Sequence, residues 1–425
     1  MKRKGNPVTK FFVKTLGNEK HQVYTIPVFA IILSLIVGAV VIAILGKNPF
    51  SAYLNLLQGS GIAPKAKYAG GKNMLTDFSS FLSYWTPMIF AALAVAVALK
   101  AGLFNIGVSG QMLVAGFLSS ITIGYSTLAA PVAKPLVVLV AMVVGAAIGC
   151  LIGWLKYRFN INEVVSSIML NYIGEYIIAF FIYTKFVDPV SRQSKNISDM
   201  ARLTLIGVEI GGYKYDIPLG IILAVLAALI IQFVFKKTTF GYELKAVGSN
   251  RKASQYAGIS VGKNIILAMI ISGALAGAAG ASYYLGYFAS IQPKVLPSTG
   301  FDSIAVALLG NSNPIGILAS SFLISVIGKG STYMSSTAGL DAEIASVITG
   351  LILLFSACGA FIREKVKRSK DRMEEMAKKE RTEETDTKNV NAKETDAEES
   401  NAGKVKAKEE NSKINAGKEN TGVGK

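Results

Sequence analysis

Long apolar stretches separated by short polar segments run through most of the chain. Because the hydrocarbon core of a bilayer is about 30 Å thick, a helix needs roughly 20 apolar residues to cross it. Measured against that length, the pattern predicts an all-α, polytopic membrane helical bundle of about ten spans, the eighth too short to cross alone. The predicted spans lie at residues 25–45, 82–99, 106–123, 135–155, 164–186, 217–235, 263–288, 301–309, 315–327 and 344–362.

A polar segment from Lys100 to Met112 interrupts the apolar pattern between the second and third spans, and it contains Asn105, Ser109 and Gln111. Polar side chains and free backbone groups are costly at membrane depth unless protein or a cavity surrounds them. Transporters solve this with a discontinuous helix whose N-terminus offers free N–H groups. An ordinary cytoplasmic turn between two helices explains the segment equally well, and both interpretations stay open here.

A second interruption lies between Phe301 and Gly316, where Gly310, Asn311 and Pro314 cut an apolar stretch. It repeats the order of the first interruption: a short apolar piece, a Gly/Asn break and then a helix. Paired interruptions in two halves of a chain are typical of a translocation site, so the pattern predicts two interrupted helices. An Asn-Pro turn between two ordinary helices is the alternative.

A polar stripe runs along the fifth predicted span, where Glu163, Ser167, Asn171 and Glu175 recur every four residues and share one helix face. A carboxylate in the middle of a span normally faces the bundle interior or water. The stripe therefore lines a transport path or ties two helices together by hydrogen bonds or an ion pair. Candidate path residues are Asn105, Ser109, Gln111, Asn171, Glu175 and Asn311.

Four of these candidates are amides: Asn105, Gln111, Asn171 and Asn311. An unsatisfied amide in lipid costs several kcal/mol, so each needs water or a polar partner. We expect the four to face a common water-filled cavity. A role confined to holding helices together is the alternative.

Small residues form a smooth face on the seventh span, at Gly273, Gly277 and Ala281. Such faces allow two helices to approach closely. The pattern favours a helix of this chain over a helix of another chain as the neighbour.

Charge is low and unevenly placed: 17% of the residues are charged, against about 25% in ordinary soluble domains. The last 63 residues, from Arg363 on, hold 17 Lys/Arg and 15 Asp/Glu. The chain therefore divides into an N-terminal cytoplasmic segment (1–24), a transmembrane domain (25–362) and a charged tail (363–425). Because the tail has no apolar pattern that could bury a core, we expect it to be disordered and dispensable beyond about Lys370.

The net charge of +17 does not indicate nucleic acid, since no basic stripe is interleaved with aromatic residues as strand binding requires. If the N-terminus lies in the cytoplasm, most of the Lys and Arg residues outside the spans lie on the cytoplasmic side, as is usual in membrane proteins. The charge distribution therefore predicts that both termini are cytoplasmic. The two cysteines and single histidine form no metal-ligand or catalytic pattern, so we expect no enzyme activity.

The segment from Thr239 to Ile259, between the sixth and seventh spans, is basic and predicted to be partly helical. Its only acidic residue is Glu243, and it has neither His nor Cys, so it suits binding by another protein better than catalysis. A plain basic loop that marks the cytoplasmic side is the alternative.

Four motifs resemble one transporter family. Gly241 to Asn250 (Gly-Tyr-Glu-Leu-Lys-Ala-Val-Gly-Ser-Asn) resembles the coupling loop of ABC permeases of the branched-chain amino acid, ribose and nucleoside type. Phe104 to Gln111 resembles the Phe-Asn-Ile-Gly-x-x-Gly-Gln signature of the nucleoside and basic-membrane-protein branch. Asn162 to Tyr172 and Gly300 to Gly310 are similar to that branch too, and the resemblance covers residues 25–362.

The resemblance implies a permease subunit of an ATP-driven importer in the plasma or inner membrane. Two permease subunits, the second a different chain, would form the pore, and an extracytoplasmic substrate-binding protein or lipoprotein would deliver the small-molecule substrate. A separate ABC ATPase subunit would use ATP and magnesium, since the Gly-Lys pairs of this chain lack the other residues of a phosphate-binding loop. The resemblance places ATPase coupling at Gly241, Glu243, Lys245, Gly248, Asn250 and Gly258.

Nucleosides are the substrate that the resemblance implies, with simple sugars and branched-chain amino acids as alternatives. Ser109 departs from the branch, which often has Glu at this position. The other function classes are a self-contained secondary transporter or channel and a membrane-bound enzyme. The first would need an ion relay inside the membrane, for which Glu175 is the only acidic candidate in the middle of a predicted span.

Overall fold

The structure, a computed structural model, describes residues 22–68, 70–341, 343–358, 361, 364–373 and 375. The chain forms two compact units: Ile26–Gly359, and a second unit made of the segments Met1–Thr25 and Ala360–Lys425. In the second unit, residues 364–373 are helical, and Arg368 forms an ion pair with Glu364 at 2.5 Å. The disorder expected for the charged tail stays a prediction, and most of that tail, residues 376–425, lies outside the described residues, as do residues 1–21.

Thirteen helices and one β-hairpin are numbered here in chain order within the described residues. The helices are α1 (Gln22–Ile44), α2 (Pro49–Gly59), α3 (Met74–Lys100), α4 (Val108–Ser119), α5 (Ala130–Phe159), α6 (Glu163–Phe181), α7 (Gly220–Lys237), α8 (Thr239–Ser249), α9 (Arg251–Tyr256), α10 (Val261–Ala281), α11 (Ser298–Leu309), α12 (Pro314–Ala338) and α13 (Glu343–Ala357). Short π-helical segments continue α4, α6 and α10 as Ser120–Gly124, Ile182–Phe186 and Ser282–Phe288. The strands are β1 (Thr204–Ile210) and β2 (Tyr213–Pro218).

Within the described residues, each apolar stretch that was predicted to be a span contains a helix, which confirms a helical membrane bundle. Among the described residues, seven helices are long and apolar enough to cross a membrane: α1, α3, α5, α6, α7, α10 and α12. The three shorter apolar helices are α4, α11 and α13. α11 is the stretch that the sequence marked as too short to cross alone.

The centre of the bundle is formed by α3 and α10, whose side chains are mostly buried. Around them, α1, α5, α6 and α7 turn much of their apolar surface outward, with large exposed side chains such as Ile222 and Phe233. Helices that are apolar all round, with one face packed and the other exposed, fit a lipid environment.

Backbones of α5 and α10 approach closely through glycines. A Cβ atom added at Gly145 would come within 2.1 Å of the Gly273 carbonyl oxygen, and one at Gly277 within 2.0 Å of the Ala141 oxygen. A side chain at either position would therefore clash, and only glycine lets the two helix backbones lie this close, as at other small-residue interfaces between membrane helices. The smooth face predicted on the seventh span therefore packs within this chain.

The all-α prediction is incomplete, because β1 and β2 form an antiparallel hairpin in the segment that was interpreted as a loop. Its turn residues Gly211 and Gly212 both have positive φ, at 61° and 81°. That combination is the type I′ turn that joins two-residue hairpins, and glycine adopts it without strain. The alternation of β-branched and polar residues around the Gly-Gly pair was the available signal.

Candidate functional site

The interruption between α3 and α4 lies inside the bundle. The Ser272 hydroxyl of α10 donates to the Ala94 carbonyl of α3 at 2.7 Å, and Asn105 Nδ2 donates to the same hydroxyl oxygen at 2.8 Å. Ala94 precedes Lys100, the last residue of α3, by six residues, so the chain folds back beside α3 before α4 begins. This geometry favours a broken helix within protein over an exposed turn.

Two asparagines bind the backbone at the start of α4, one just before the helix and one in its first turn. Asn105 Oδ1 accepts from the Gly107 N–H at 2.9 Å, and Asn171 Oδ1, from α6, accepts from the Gly110 N–H at 3.1 Å. The Asn171 amide also donates to the Ile106 carbonyl at 3.1 Å. The first N–H groups of a helix have no partner within it and must find one elsewhere. Here protein amides supply those partners.

Close contact explains the glycine at position 110, where a Cβ atom would come within 2.4 Å of Asn171 Oδ1. Gln111 Oε1 accepts from Asn105 Nδ2 at 3.1 Å, and the Ser109 hydroxyl donates to the Pro297 carbonyl at 3.0 Å. Asn105, Ser109, Gln111 and Asn171 therefore form one buried cluster, which we call the amide cluster. Their role in a transport path stays a prediction.

Some hydrogen-bonding capacity of this region is unused. Among the described residues, Gln111 Nε2 and the Ser167 hydroxyl are buried without a hydrogen-bond partner. Such groups are costly in a protein interior and normally bind water or a ligand.

Two predicted path residues lie outside the amide cluster. Glu175 is half-buried on α6, one turn beyond Asn171. Asn311 lies in the turn that joins α11 to α12, with a positive φ of 53°, and Asn313 caps α12 by accepting from the Ile315 N–H at 3.1 Å. At the second interruption the structure thus shows an Asn-Pro turn between two helices.

The predicted coupling segment forms α8 and α9, which pack against the bundle. Gly248 lies against the Lys100 carbonyl, and the Arg251 guanidinium donates to the Gly102 carbonyl at 3.0 Å. Glu243 accepts a hydrogen bond from Asn264 of α10 at 2.9 Å. These contacts join α8 and α9 to the end of α3, where the chain turns towards the amide cluster.

The remaining residues predicted for coupling determine the shape of this segment. Lys245 donates to the Phe235 carbonyl, and Asn250 caps α9 by accepting from the Ala253 N–H at 3.1 Å. Gly241 is buried against α7, and Gly258 follows α9 with a positive φ of 80°. Coupling itself stays a prediction for these residues.

Exposed aromatic side chains on α8 and α9 were missed from the sequence. Tyr242 is 71% exposed and Tyr256 is 93% exposed. Large exposed aromatic side chains are suited to binding a protein partner. Both tyrosines lie within the segment from Thr239 to Ile259, but only the folded helices show which side chains point outward.

A polar region between α3, α10, α11 and α12 was also missed. It contains two cavities, of about 480 Å³ and about 520 Å³, which share Tyr84 and Gly328 as lining residues. Lys329 lines the first cavity and Asp302 the second. A lysine in the middle of an apolar helix was the signal that could have found it. Within the described residues, no three His, Cys, Asp or Glu side chains group as a metal site.

Comparison with known proteins identifies the family. Residues 78–357 match the family described as branched-chain amino acid transport system / permease component, and the chain belongs to it. The resemblance noted from the sequence is thereby confirmed. The chain is therefore a multi-pass plasma-membrane permease of a transporter, not an enzyme. No solved structure matches the chain.

Similar curated proteins are transport permeases too. The nucleoside ABC transporter permease protein NupB of Lactococcus lactis subsp. cremoris is 36% identical over 348 residues, covering 80% of this chain and 92% of that protein. The guanosine ABC transporter permease protein NupP of Bacillus subtilis is 38% identical over 341 residues, covering 80% and 94%. The glucose ABC transporter permease protein TsgB13 of Haloferax volcanii is 28% identical over 347 residues, covering 80% and 88%.

Proposed function

We propose that this permease carries nucleosides into the cell as the membrane-spanning subunit of an ATP-driven ABC importer. The observation that supports this most directly is the similarity to nucleoside and guanosine permeases at 36% and 38% identity, over 80% of this chain in each case. The similarity extends over nearly the whole length of both relatives, so it includes the membrane domain and the coupling segment together.

The importer comprises several further subunits. An ABC ATPase hydrolyses ATP with magnesium, a second permease subunit of different sequence completes the pore, and an extracytoplasmic binding protein or lipoprotein delivers the nucleoside. Both termini and α8–α9 face the cytoplasm, and the β-hairpin faces outward. The Lys/Arg-rich segments before α1 and around α8 and α9 support this orientation.

Energy from the ATPase enters the membrane domain through α8 and α9. The partner binds the exposed side of these helices, where Tyr242 and Tyr256 project. Because Arg251 holds the Gly102 carbonyl, a displacement of α9 moves the segment between α3 and α4. That segment leads directly to Asn105 and the amide cluster.

The broken helix serves as the moving part of the path. In this arrangement the N-terminus of α4 is capped by Asn105 and Asn171, and a shift of α4 against α6 would release the Gly110 N–H for substrate or water. The buried Gln111 Nε2 has no hydrogen-bond partner among the described residues, which supports the same role, because a shift of α4 would expose a free donor to substrate or water. Ser109, Glu175 and Asn311 complete the proposed path residues.

Glucose is the second candidate substrate, because a glucose permease is 28% identical over a similar length. Uptake of labelled guanosine, glucose and leucine into proteoliposomes containing the complete importer distinguishes the candidates. We expect ATP-dependent guanosine uptake that unlabelled nucleosides inhibit and glucose does not. Uptake of glucose or leucine alone would contradict the nucleoside assignment, and uptake without the ATPase subunit would indicate a secondary transporter.

A further inference from the structure

The two cavities beside Tyr84 are neighbours that share Tyr84 and Gly328 as lining residues. The first, about 480 Å³, is lined by residues of α2, α3, β2 and α12, and the second, about 520 Å³, by residues of α3, α11, α12 and α13. Tyr84 borders both, and a Cβ atom at Gly328 would come within 2.6 Å of the Tyr84 hydroxyl oxygen. The tyrosine hydroxyl therefore rests against the backbone of α12, at the junction of the two cavities.

Aromatic rings and one cation meet at this junction. The Tyr84 and Tyr287 rings are 5.4 Å apart at their centroids and nearly perpendicular. Lys329 Nζ donates to the Tyr287 hydroxyl at 3.1 Å and lies 5.0 Å from the centroid of the same ring. Both tyrosines and the lysine are half-buried, so each presents part of its surface to the cavities.

Charged side chains line both cavities, and Lys65 and Asp77 at the first cavity pair with each other at 2.7 Å, whereas two further charges are left without an ion-pair partner among the described residues. Lys329 lies in the middle of α12, and Asp302 lies on the short helix α11. In the part of the chain that the structure describes, neither side chain forms an ion pair. Charged residues inside a membrane domain are expensive, and they usually face a water-filled cavity or mark a substrate path. This combination of aromatic rings, an ammonium and a carboxylate is typical of a ligand site.

We propose that these cavities form one binding cleft for a nucleoside during its passage, and we call it the tyrosine cleft. The proposal rests on the proposed function and assigns a substrate contact to residues outside the amide cluster. A nucleobase is flat and aromatic, so it stacks on or packs edge-to-face against Tyr84 and Tyr287. Lys329 donates to base ring nitrogens or carbonyl oxygens, and Asp302 accepts from ribose hydroxyls.

The chemistry of the cleft favours a nucleoside over the substrates of related permeases. A branched-chain amino acid carries adjacent ammonium and carboxylate groups, but it has no aromatic ring to use the tyrosine pair. A simple sugar can form hydrogen bonds with Asp302 and Lys329, but it likewise has no flat aromatic ring. A nucleoside uses both the aromatic and the polar parts of the cleft, and it needs no charged group of its own.

Cysteine protection tests the cleft directly. In the complete importer in proteoliposomes, with Cys150→Ser and Cys358→Ser, we place single cysteines by Thr332→Cys in the first cavity and Ser331→Cys in the second. Guanosine should slow the reaction of both with a water-soluble maleimide, and glucose should not. Ser191→Cys, in an exposed loop, is the matched control and should react at the same rate with either solute.

The contribution of the rings is measured separately. Tyr287→Leu should raise the guanosine KM on the order of tenfold, the loss expected for one aromatic stacking contact, and it should remove the protection. Tyr287→Phe keeps the ring and should retain protection, which excludes misfolding as the cause. Tyr176→Leu, on the exposed face of α6, controls for loss of a membrane tyrosine.

The outcomes separate this proposal from the proposed function. Guanosine uptake by the wild-type importer without protection at either cysteine would overturn the tyrosine cleft and leave the function intact. Protection that persists in Tyr287→Leu would also overturn it. Absence of guanosine uptake would overturn the proposed function, and the cleft with it.

Discussion

Gly248 of α8 lies directly against the backbone of Lys100 at the end of α3: a Cβ atom at 248 would come within 2.2 Å of the Lys100 carbonyl oxygen. The contact joins α8, which is proposed to bind the ATPase, to the last residue of α3, after which the chain is interrupted before α4. Because both partners are backbone, the fit allows little movement of one helix without the other. Together with the Arg251–Gly102 hydrogen bond, it connects α8 and α9 to the segment that leads to the amide cluster.

Substitution of Gly248 should therefore uncouple the transporter. Gly248→Val must displace α8 from α3, and overpacking of this kind costs about 1–3 kcal/mol. We expect ATP-dependent uptake to fall roughly tenfold, as 1.4 kcal/mol corresponds to a factor of ten, while ATP hydrolysis by the complex persists. Uptake and hydrolysis measured on the same proteoliposomes check this. Ser249→Val, at the neighbouring exposed position, is the control and should transport normally.

The exposed tyrosines offer a test that does not disturb packing. Tyr256 is 93% exposed, so Tyr256→Ala should leave membrane abundance unchanged. If the ATPase buries this ring, its affinity for the permease should fall by tenfold or more, since a central interface tyrosine contributes about 2 kcal/mol. Co-purification of the ATPase and a binding titration in detergent measure the effect. Unchanged affinity would mean that the ATPase does not bury Tyr256 and contacts another part of α8 and α9. Tyr176→Ala, which removes an exposed tyrosine of α6, is the control.

Helix positions were predictable because membrane spans are encoded in long apolar runs that need no tertiary information. The close packing of Gly273 was likewise readable from the spacing of small residues. The hairpin was missed because its strands are short and lie in a segment that the helical pattern leaves as a loop. The Gly211-Gly212 pair and the alternating residues around it were the available signal.

The functional residues were less predictable. The amide cluster was found, because Asn105 and Asn171 stand out in apolar surroundings, but its hydrogen bonds depend on how α6 meets α4. The tyrosine cleft was missed because Tyr84, Tyr287 and Lys329 are far apart in sequence and each has an ordinary explanation alone. The structure brings them together, and that arrangement carries the proposal.

The capping of α4 by Asn171 should be important for stability. Asn171→Ala leaves the Gly110 N–H and the Ile106 carbonyl without their partner, and each unsatisfied buried group costs about 1–3 kcal/mol. We expect a clear loss of thermal stability in detergent, measured by fluorescence-detected size exclusion after heating. Glu175→Gln, one turn further on the same helix, removes a half-buried charge outside the cluster and should change stability far less. Equal losses in the two variants would contradict the capping role.

Accessibility of the four amide positions tests whether they share a water-filled path. Asn105, Gln111 and Asn171 are only 1%, 1% and 2% exposed, whereas Asn311 is half-buried at a turn. Single cysteines in a Cys150→Ser, Cys358→Ser background should thus differ in the ATP-free importer: a small thiol reagent should react at 311 and not at the other three. Ser191→Cys reports the reagent's activity, and membrane abundance identifies variants that fail to fold.

Trapping the ATPase in its ATP-bound state provides the decisive comparison. If α4 shifts against α6 during transport, the hydrogen bonds of Asn171 to Gly110 and Ile106 break, and water enters between the two helices. Cysteines at 105 and 171 should then become reactive, with rates that rise at least several-fold over the ATP-free state. Protection in every state of an importer that still transports would mean that these amides only hold helices together, and the shared path would have to be abandoned.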